Sequence, residues 1–90
     1  MFRIVIEDSP SEEKWILQGQ LTGDFASELS AKWHSSQLLD LDRLRVIDLS
    51  DVTIIDKSGR EVLLLMIHQG AQCVAKGVYT SHLIEELKSH

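Results

Sequence analysis

The chain has 90 residues and a mass of 10.2 kDa, which is enough for one domain over residues 1–90 and excludes a multidomain enzyme. Nine Lys and Arg residues against fourteen Asp and Glu residues give a formal charge of −5, which disfavours nucleic acid and anionic membranes as main partners. A domain of this size buries only about 60–65% of its unfolded surface, so we expect recognition at its surface rather than in a deep pocket.

The first part of the chain is predicted to form a β-hairpin. Residues 2–7 alternate apolar and polar side chains, and so do residues 14–21, which place Trp15 and Leu17 on one face. Between these strands, residues 8–11 carry a proline and short polar side chains that are typical of a turn. The two strands are therefore expected to pair through a loop of medium length.

A helix and a buried strand are predicted next. Asp24 is a candidate N-cap, and large apolar side chains recur every four residues over a helix from about 25 to 38. Residues 45–50 are rich in apolar side chains and are typical of the central strand of a sheet covered on both faces. The acids in and after this run, Asp48 and Asp51, are predicted to form turns rather than a binding surface.

The second helix is predicted to begin at Ser58. Ser58 and Glu61 lie three residues apart, ahead of the apolar run 62–67, which is the pattern of a capping box. In this motif each of the two side chains accepts a hydrogen bond from the backbone amide of the other residue. The helix is apolar around most of its circumference, so we expect contacts on more than one side, and Gly70 is expected to end it.

The rest of the chain is predicted to form a short strand over residues 71–76 and a final amphipathic helix, which gives the order β-β-α-β-α-β-α. Strand and helix alternation after a hairpin requires parallel crossovers. We therefore predict an α/β fold, with a mixed four-stranded sheet and helices packed mainly on one face.

Features of composition and of the N-terminus predict a cytoplasmic protein. Cys73 is the only cysteine, which excludes an intrachain disulfide and indicates a reducing compartment. The N-terminus lacks the basic and apolar segments of a signal peptide, and no apolar run approaches the roughly 20 residues of a membrane span.

The amino-acid sequence contains no motif typical of catalysis or of metal or cofactor binding. Ser58 lacks the preceding glycine of a hydrolase nucleophile elbow, and Cys73 is expected to be an inert core residue. The histidines are scattered without the spacing of metal ligands. They are His34, His68, His82 and His90. We predict neither a catalytic nor a metal site, and no cofactor.

Four segments, in this order and spacing, carry a resemblance to a known family. They are LQGQL at 17–21, VIDLS at 46–50, DVTIIDKSG at 51–59 and GAQ at 70–72. With these segments the chain resembles the STAS domain family, the anti-sigma factor antagonists of bacteria, over nearly its full length. The resemblance implies a binding function and a STAS-like sheet with helices on one side.

The resemblance also implies a switch. In regulatory members the serine that matches Ser58 is phosphorylated by an ATP-dependent kinase, which is itself the anti-sigma factor. The unphosphorylated domain sequesters this kinase and frees the sigma factor, and phosphorylation releases the kinase. Where the family commonly has an aspartate after the second strand, this chain has Thr22, with Asp24 two residues later. The implied partner-binding residues are Thr22, Asp24, Asp56, Lys57, Ser58, Gly59 and Arg60.

Simpler interpretations and other functions stay open on the sequence alone. Ser58 is also a plain helix cap, worth about 1 kcal/mol. A phosphate at a helix N-terminus is tolerated because of the unpaired amides there, with Lys57 and Arg60 available to neutralise it. The domain is alternatively a non-phosphorylated subunit of a membrane transport ATPase or a sensory assembly, or a small-ligand sensor. Trp15 and Trp33 are expected in the core, and the oligomeric state is left open.

Overall fold

The computed structural model describes residues 1–37 and 43–89. Within them the chain forms β1 (Phe2–Asp8), β2 (Glu12–Leu21), α1 (Gly23–Gln37), β3 (Leu44–Ile55), α2 (Lys57–His68), β4 (Gln72–Val74) and α3 (Val78–Lys88). The predicted element order is confirmed. Residue 38, the predicted end of the first helix, lies outside the described residues. In the described part, no helix is long and apolar enough to cross a membrane.

The four strands form one mixed sheet in the order β1-β2-β3-β4. β1 pairs antiparallel with β2, as the predicted hairpin requires. β3 runs parallel to β2, and β4 runs parallel to β3. Because each parallel connection contains a helix, α1 and α2 are brought back against the sheet side by side.

The core lies between one face of this sheet and all three described helices. Trp15 and Leu17 of β2 and Ile47 and Leu49 of β3 are fully buried and point to the same face. Trp15 packs edge-on against Trp33 of α1, with ring centroids 5.5 Å apart. The helices contribute further large members of this core, namely Leu29, Trp33, Leu63, Met66, Leu83, Ile84 and Leu87. The predicted core positions of both tryptophans are confirmed.

The opposite face of the sheet carries no part of this core. Val46 and its neighbour Lys14 point to that face, and Lys14 forms an ion pair with Asp48 at 3.7 Å. Val74, also on this side, is 45% exposed. The expectation that β3 is covered on both faces is therefore wrong, whereas the predicted packing of helices on one face is confirmed.

β3 is longer than predicted, and its pairing with β2 contains two irregularities. Ile16 pairs with Asp48, but Gln18 pairs with Asp51, so β3 has one extra residue there, and a second shift follows at Gly19. The carboxylate of Asp48 accepts a hydrogen bond from the Ser50 amide at 2.9 Å, within the first irregularity. Asp48 and Asp51 therefore lie inside a bulged strand, and the prediction that they form turns is wrong.

A charged cluster closes the core near the start of β2. Glu13 and Arg45 are each only 8% exposed. Glu13 accepts a hydrogen bond from the indole of Trp15 at 2.6 Å and forms ion pairs with Arg43 at 3.2 Å and with Arg45 at 3.6 Å. The Arg45 guanidinium also stacks over the Trp33 ring, 5.0 Å from its centroid. The buried glutamate thus has several partners that offset its desolvation.

Candidate functional site

The candidate site lies where β3 ends and α2 begins. Asp56, directly after the last strand residue, has an extended backbone with φ −90° and ψ −173° and is the N-cap of α2. Its Oδ1 accepts a hydrogen bond from the Gly59 amide at 2.9 Å. This bond satisfies one of the free amides that every helix leaves in its first turn.

The predicted capping box of Ser58 and Glu61 is wrong. Because β3 continues to Ile55, it delivers Asp56 to the capping position in the extended conformation that an N-cap needs, and aspartate caps at least as well as serine. Ser58 is therefore the second residue of α2. Its side chain is exposed, and its hydroxyl forms no hydrogen bond with any residue that the structure describes. The hydroxyl of Ser58 therefore has no capping role.

The second oxygen of Asp56 reaches a different helix. Oδ2 accepts a hydrogen bond from the amide of Gly23, the first residue of α1, at 3.0 Å. The backbone amide of Asp56 also donates to the Leu21 carbonyl at 3.3 Å. The amides of Gly59 and Gly23 hold the pKa of the Asp56 carboxyl below its ordinary value. A single carboxylate thus joins the N-termini of α1 and α2.

Gly59 is required at this joint by a close backbone approach. A Cβ atom at this position would overlap the Leu21 carbonyl oxygen and would also lie 3.0 Å from side-chain carbons of Ile55 and Leu21. Gly59 is accordingly buried, although it lies next to the exposed Ser58. The glycine lets the first turn of α2 sit directly on the end of β2.

Ser58 opens onto a groove of about 520 Å³ between α1 and α2. The α1 side consists of small side chains and one histidine, and the α2 side carries Ser58, one acid and apolar side chains. The groove is lined by Ala26, Ser27, Ser30, Ala31, His34, Ser58, Glu61, Val62 and Leu65. Beyond its far end, the Trp33 indole donates to Oε1 of Gln69, the residue that caps α2, at 2.6 Å. Sequence patterns of α2 alone did not reveal the α1 wall of this groove.

The predicted partner-binding residues divide between two sides of α2. Lys57 and Arg60 line a separate cleft of about 360 Å³ between α2 and α3. The Arg60 guanidinium forms an ion pair with Glu86 of α3 at 3.2 Å. The expectation that Arg60 neutralises a phosphate on Ser58 is therefore not met by this geometry, because Arg60 is held on the other side of the helix.

Thr22 and Asp24 lie at the same end of the molecule as Asp56. The predicted N-cap role of Asp24 is wrong, since α1 begins one residue earlier, and the Thr22 carbonyl accepts a hydrogen bond from the Phe25 amide at 2.9 Å. Asp24 is exposed in the first turn of α1. Gly23 between them holds the link to Asp56, and its positive φ of 48° is the local feature that allows this turn.

Comparison with known proteins decides the type of fold. An anti-sigma factor antagonist from Mycobacterium paratuberculosis superposes on 99% of this chain and 80% of its own, with a TM-score of 0.82 and 20% identity. An antisigma-factor antagonist STAS domain from Rhodobacter sphaeroides covers 87% of this chain and 88% of its own, with a TM-score of 0.62 and 23% identity. The chain has the STAS fold. No family model and no curated protein matches its sequence.

A segment of a longer protein is also similar to this chain. The protein Mglu matches 81% of this chain over only 19% of its own length, with a TM-score of 0.62 and 19% identity. At such identities the likeness establishes the architecture, and the predicted resemblance to STAS domains is confirmed at that level. A shared fold does not fix function, which depends on the chemistry of particular sites such as the one around Ser58.

The other candidate reactive groups are Cys73 and the side chains that could bind a metal ion. Cys73 is buried in β4, and burial raises the pKa of its thiol to about 11, so little thiolate forms near neutral pH. Within residues 1–37 and 43–89, no three histidine, cysteine or acidic side chains cluster as metal ligands would. His90 lies outside the described residues.

Proposed function

We propose that this STAS-fold domain is an anti-sigma factor antagonist, which binds an anti-sigma serine kinase in the cytoplasm and is switched by phosphorylation of Ser58. The observation that carries the proposal is the exposed hydroxyl of Ser58, in the first turn of α2 and on the wall of an open groove. The two anti-sigma factor antagonists that share the fold support the same class of function.

A serine kinase needs a hydroxyl that reaches its own active site without unfolding the substrate. Ser58 meets this need, because Asp56 caps the helix in its place and no described residue holds the serine oxygen. The helix therefore keeps its N-cap while Ser58 is modified. The joint at Gly59 fixes the turn that carries Ser58 against the end of β2, so the hydroxyl is presented at a defined position.

The groove beside Ser58 supplies a surface for the partner. Its lining combines the apolar side chains of Ala26, Val62 and Leu65 with polar groups. A partner that fills the groove also covers Ser58 and approaches Glu61. A phosphate would add about −1.5 to −2 charges to a groove that already contains one acid, which favours release of a partner that is not strongly basic. Phosphorylation then acts as a switch on docking.

The test is phosphorylation by a purified anti-sigma serine kinase with ATP, followed by mass spectrometry. One phosphate on Ser58 is expected, and Ser58→Ala is expected to abolish it. Ser27→Ala is the matched control, since Ser27 is an exposed serine on the opposite wall of the same groove. Kinase that remains active on another substrate but leaves Ser58 unmodified would contradict the proposal.

A binding measurement separates the switch from a constant structural role. Ser58→Ala is expected to bind the kinase as the parent does, and Ser58→Asp is expected to bind at least about tenfold more weakly, which corresponds to roughly 1.4 kcal/mol. A partner that is a transport ATPase or a sensory assembly, and that binds parent, Ser58→Ala and Ser58→Asp equally, would instead identify a non-phosphorylated structural subunit.

A further inference from the structure

The carboxylate of Asp56 connects the turn that carries Ser58 to a helix distant in the sequence. Its bond to Gly59 is local, since both residues belong to the start of α2. Its bond to Gly23 joins two elements that are separated by 33 positions along the chain. The amide of Ser58 also faces this carboxylate closely enough to lower the carboxyl pKa. A charge placed on Ser58 would therefore lie within the same helical turn as the group that ties α1 to α2.

We propose that Asp56 is a positioning residue that couples Ser58 to the first turn of α1, so that a negative group on Ser58 loosens the bond between Asp56 and Gly23. This inference rests on the proposed function of Ser58 as the modified residue. A new anion two residues after Asp56 repels its carboxylate and competes with it for the amides of the same helical turn.

The two bonds of Asp56 differ in how easily they yield. The Gly59 bond is held by the backbone of α2, whose first turn is pressed against the Leu21 carbonyl. The Gly23 bond instead joins two elements that are 33 positions apart in the chain, and it lies at the exposed surface, where water can replace the carboxylate. Displacement of the carboxylate is thus expected to weaken the contact to Gly23 first.

The coupling gives phosphorylation a second effect on the groove. Gly23 begins the helix that carries the opposite wall, including Ala26 and Ser30. When its bond to Asp56 weakens, the start of this wall is no longer fixed relative to Ser58. The modification then changes the shape of the docking surface at its α1 end, in addition to its charge, and it reaches Thr22 and Asp24 without touching them.

The test uses amide NMR on the full chain and needs no kinase, so its failure is distinguishable from a failure of Ser58 to be phosphorylated. In Ser58→Asp we expect the Gly23 amide proton to shift upfield and to exchange about three- to tenfold faster, with a smaller change at Gly59. In an Asp56→Asn background, Ser58→Asp should change the shift and the exchange rate of the Gly23 amide less than half as much. The Asn side chain has one oxygen that accepts and an NH₂ group that only donates, so it can keep only one of the two bonds.

A matched background controls for charge alone. Glu28→Gln removes one negative charge from an exposed residue of α1 whose side chain forms no hydrogen bond with any described residue, so the response of Gly23 to Ser58→Asp should persist there. A purely structural role of Asp56 would not produce this difference between the two backgrounds. The proposal is overturned if Ser58→Asp leaves Gly23 unchanged in the parent protein, or changes it equally in the parent and in Asp56→Asn.

Discussion

Replacement of Gly59 by alanine tests the close packing on which the position of Ser58 depends. In an ordinary helix interior, alanine is about 1 kcal/mol more favourable than glycine, so the propensity term alone predicts a stabilised protein. Here the added Cβ would overlap the Leu21 carbonyl oxygen, which is part of a paired strand and cannot turn aside. Overpacking of this kind costs typically 1–3 kcal/mol, and contact with main-chain atoms belongs at the upper end. We therefore expect a net loss of about 1–2 kcal/mol.

Urea unfolding followed by tryptophan fluorescence measures this loss, because Trp15 and Trp33 are both fully buried and become exposed on unfolding. Gly77→Ala is the matched control. Gly77 also precedes a helix, has a negative φ of −79°, and its added Cβ would come no closer than 3.4 Å to the Thr80 hydroxyl. Gly77 is the N-cap of α3, where alanine is less favourable than glycine, so its substitution should cost about 0.5 kcal/mol through the cap and nothing through a steric clash. A Gly59→Ala protein as stable as the parent would refute the steric argument.

Three further predictions concern the joint and the core. Ser58→Ala should change the free energy of unfolding by less than about 0.5 kcal/mol in urea titrations, since this hydroxyl caps nothing, whereas Asp56→Ala should cost clearly more; equal effects would contradict the assignment of the cap. Because the pKa of Asp56 is lowered in the folded state, its stabilising effect is complete above the ordinary value of 3.8 and is lost as the pH falls through the lowered value. Thermal unfolding between pH 5 and 2.5 should therefore show a steeper fall of the melting temperature for the parent than for Asp56→Asn. Glu13→Ala should lower stability by about 3 kcal/mol, since it leaves buried Arg45 without this partner; a near-neutral effect would show that the remaining contacts compensate.

The periodic parts of the sequence predicted the fold, and the exceptions have local physical causes. Alternation in the first two strands and the apolar spacing of the helices identify their faces without ambiguity, because each face is buried against one core. Val52 follows the first irregularity of β3 and Ile55 follows the second, and bulges break the period of two on which strand prediction depends. The wrong cap of α2 has the same cause, because only a strand that continues to Ile55 places Asp56 at the N-cap position.

The composition of the site was only partly accessible from the sequence. The motif around Ser58 predicted an exposed phosphoacceptor near a helix N-terminus, and Ser58 is exposed in the first turn of α2. That it is modified remains a proposal. Sequence adjacency also grouped Arg60 with Ser58, although the 100° turn per residue of an α-helix places them on different sides. The hydrogen bond from the Gly23 amide to the Asp56 carboxylate joins residues that are far apart in the chain. A contact of this kind produces no periodic pattern in the sequence, so it could not be predicted.

The fastening of α1 to α2 at both ends has a consequence for the kinetics of association. Asp56 secures one end through Gly23, and Trp33 secures the other through Gln69. A binding partner therefore meets a groove that is already ordered, so little of the binding free energy is spent on ordering it. Association with the unmodified protein should need no slow rearrangement of this groove, and differences in affinity among partners should appear mainly in the dissociation rate of each complex.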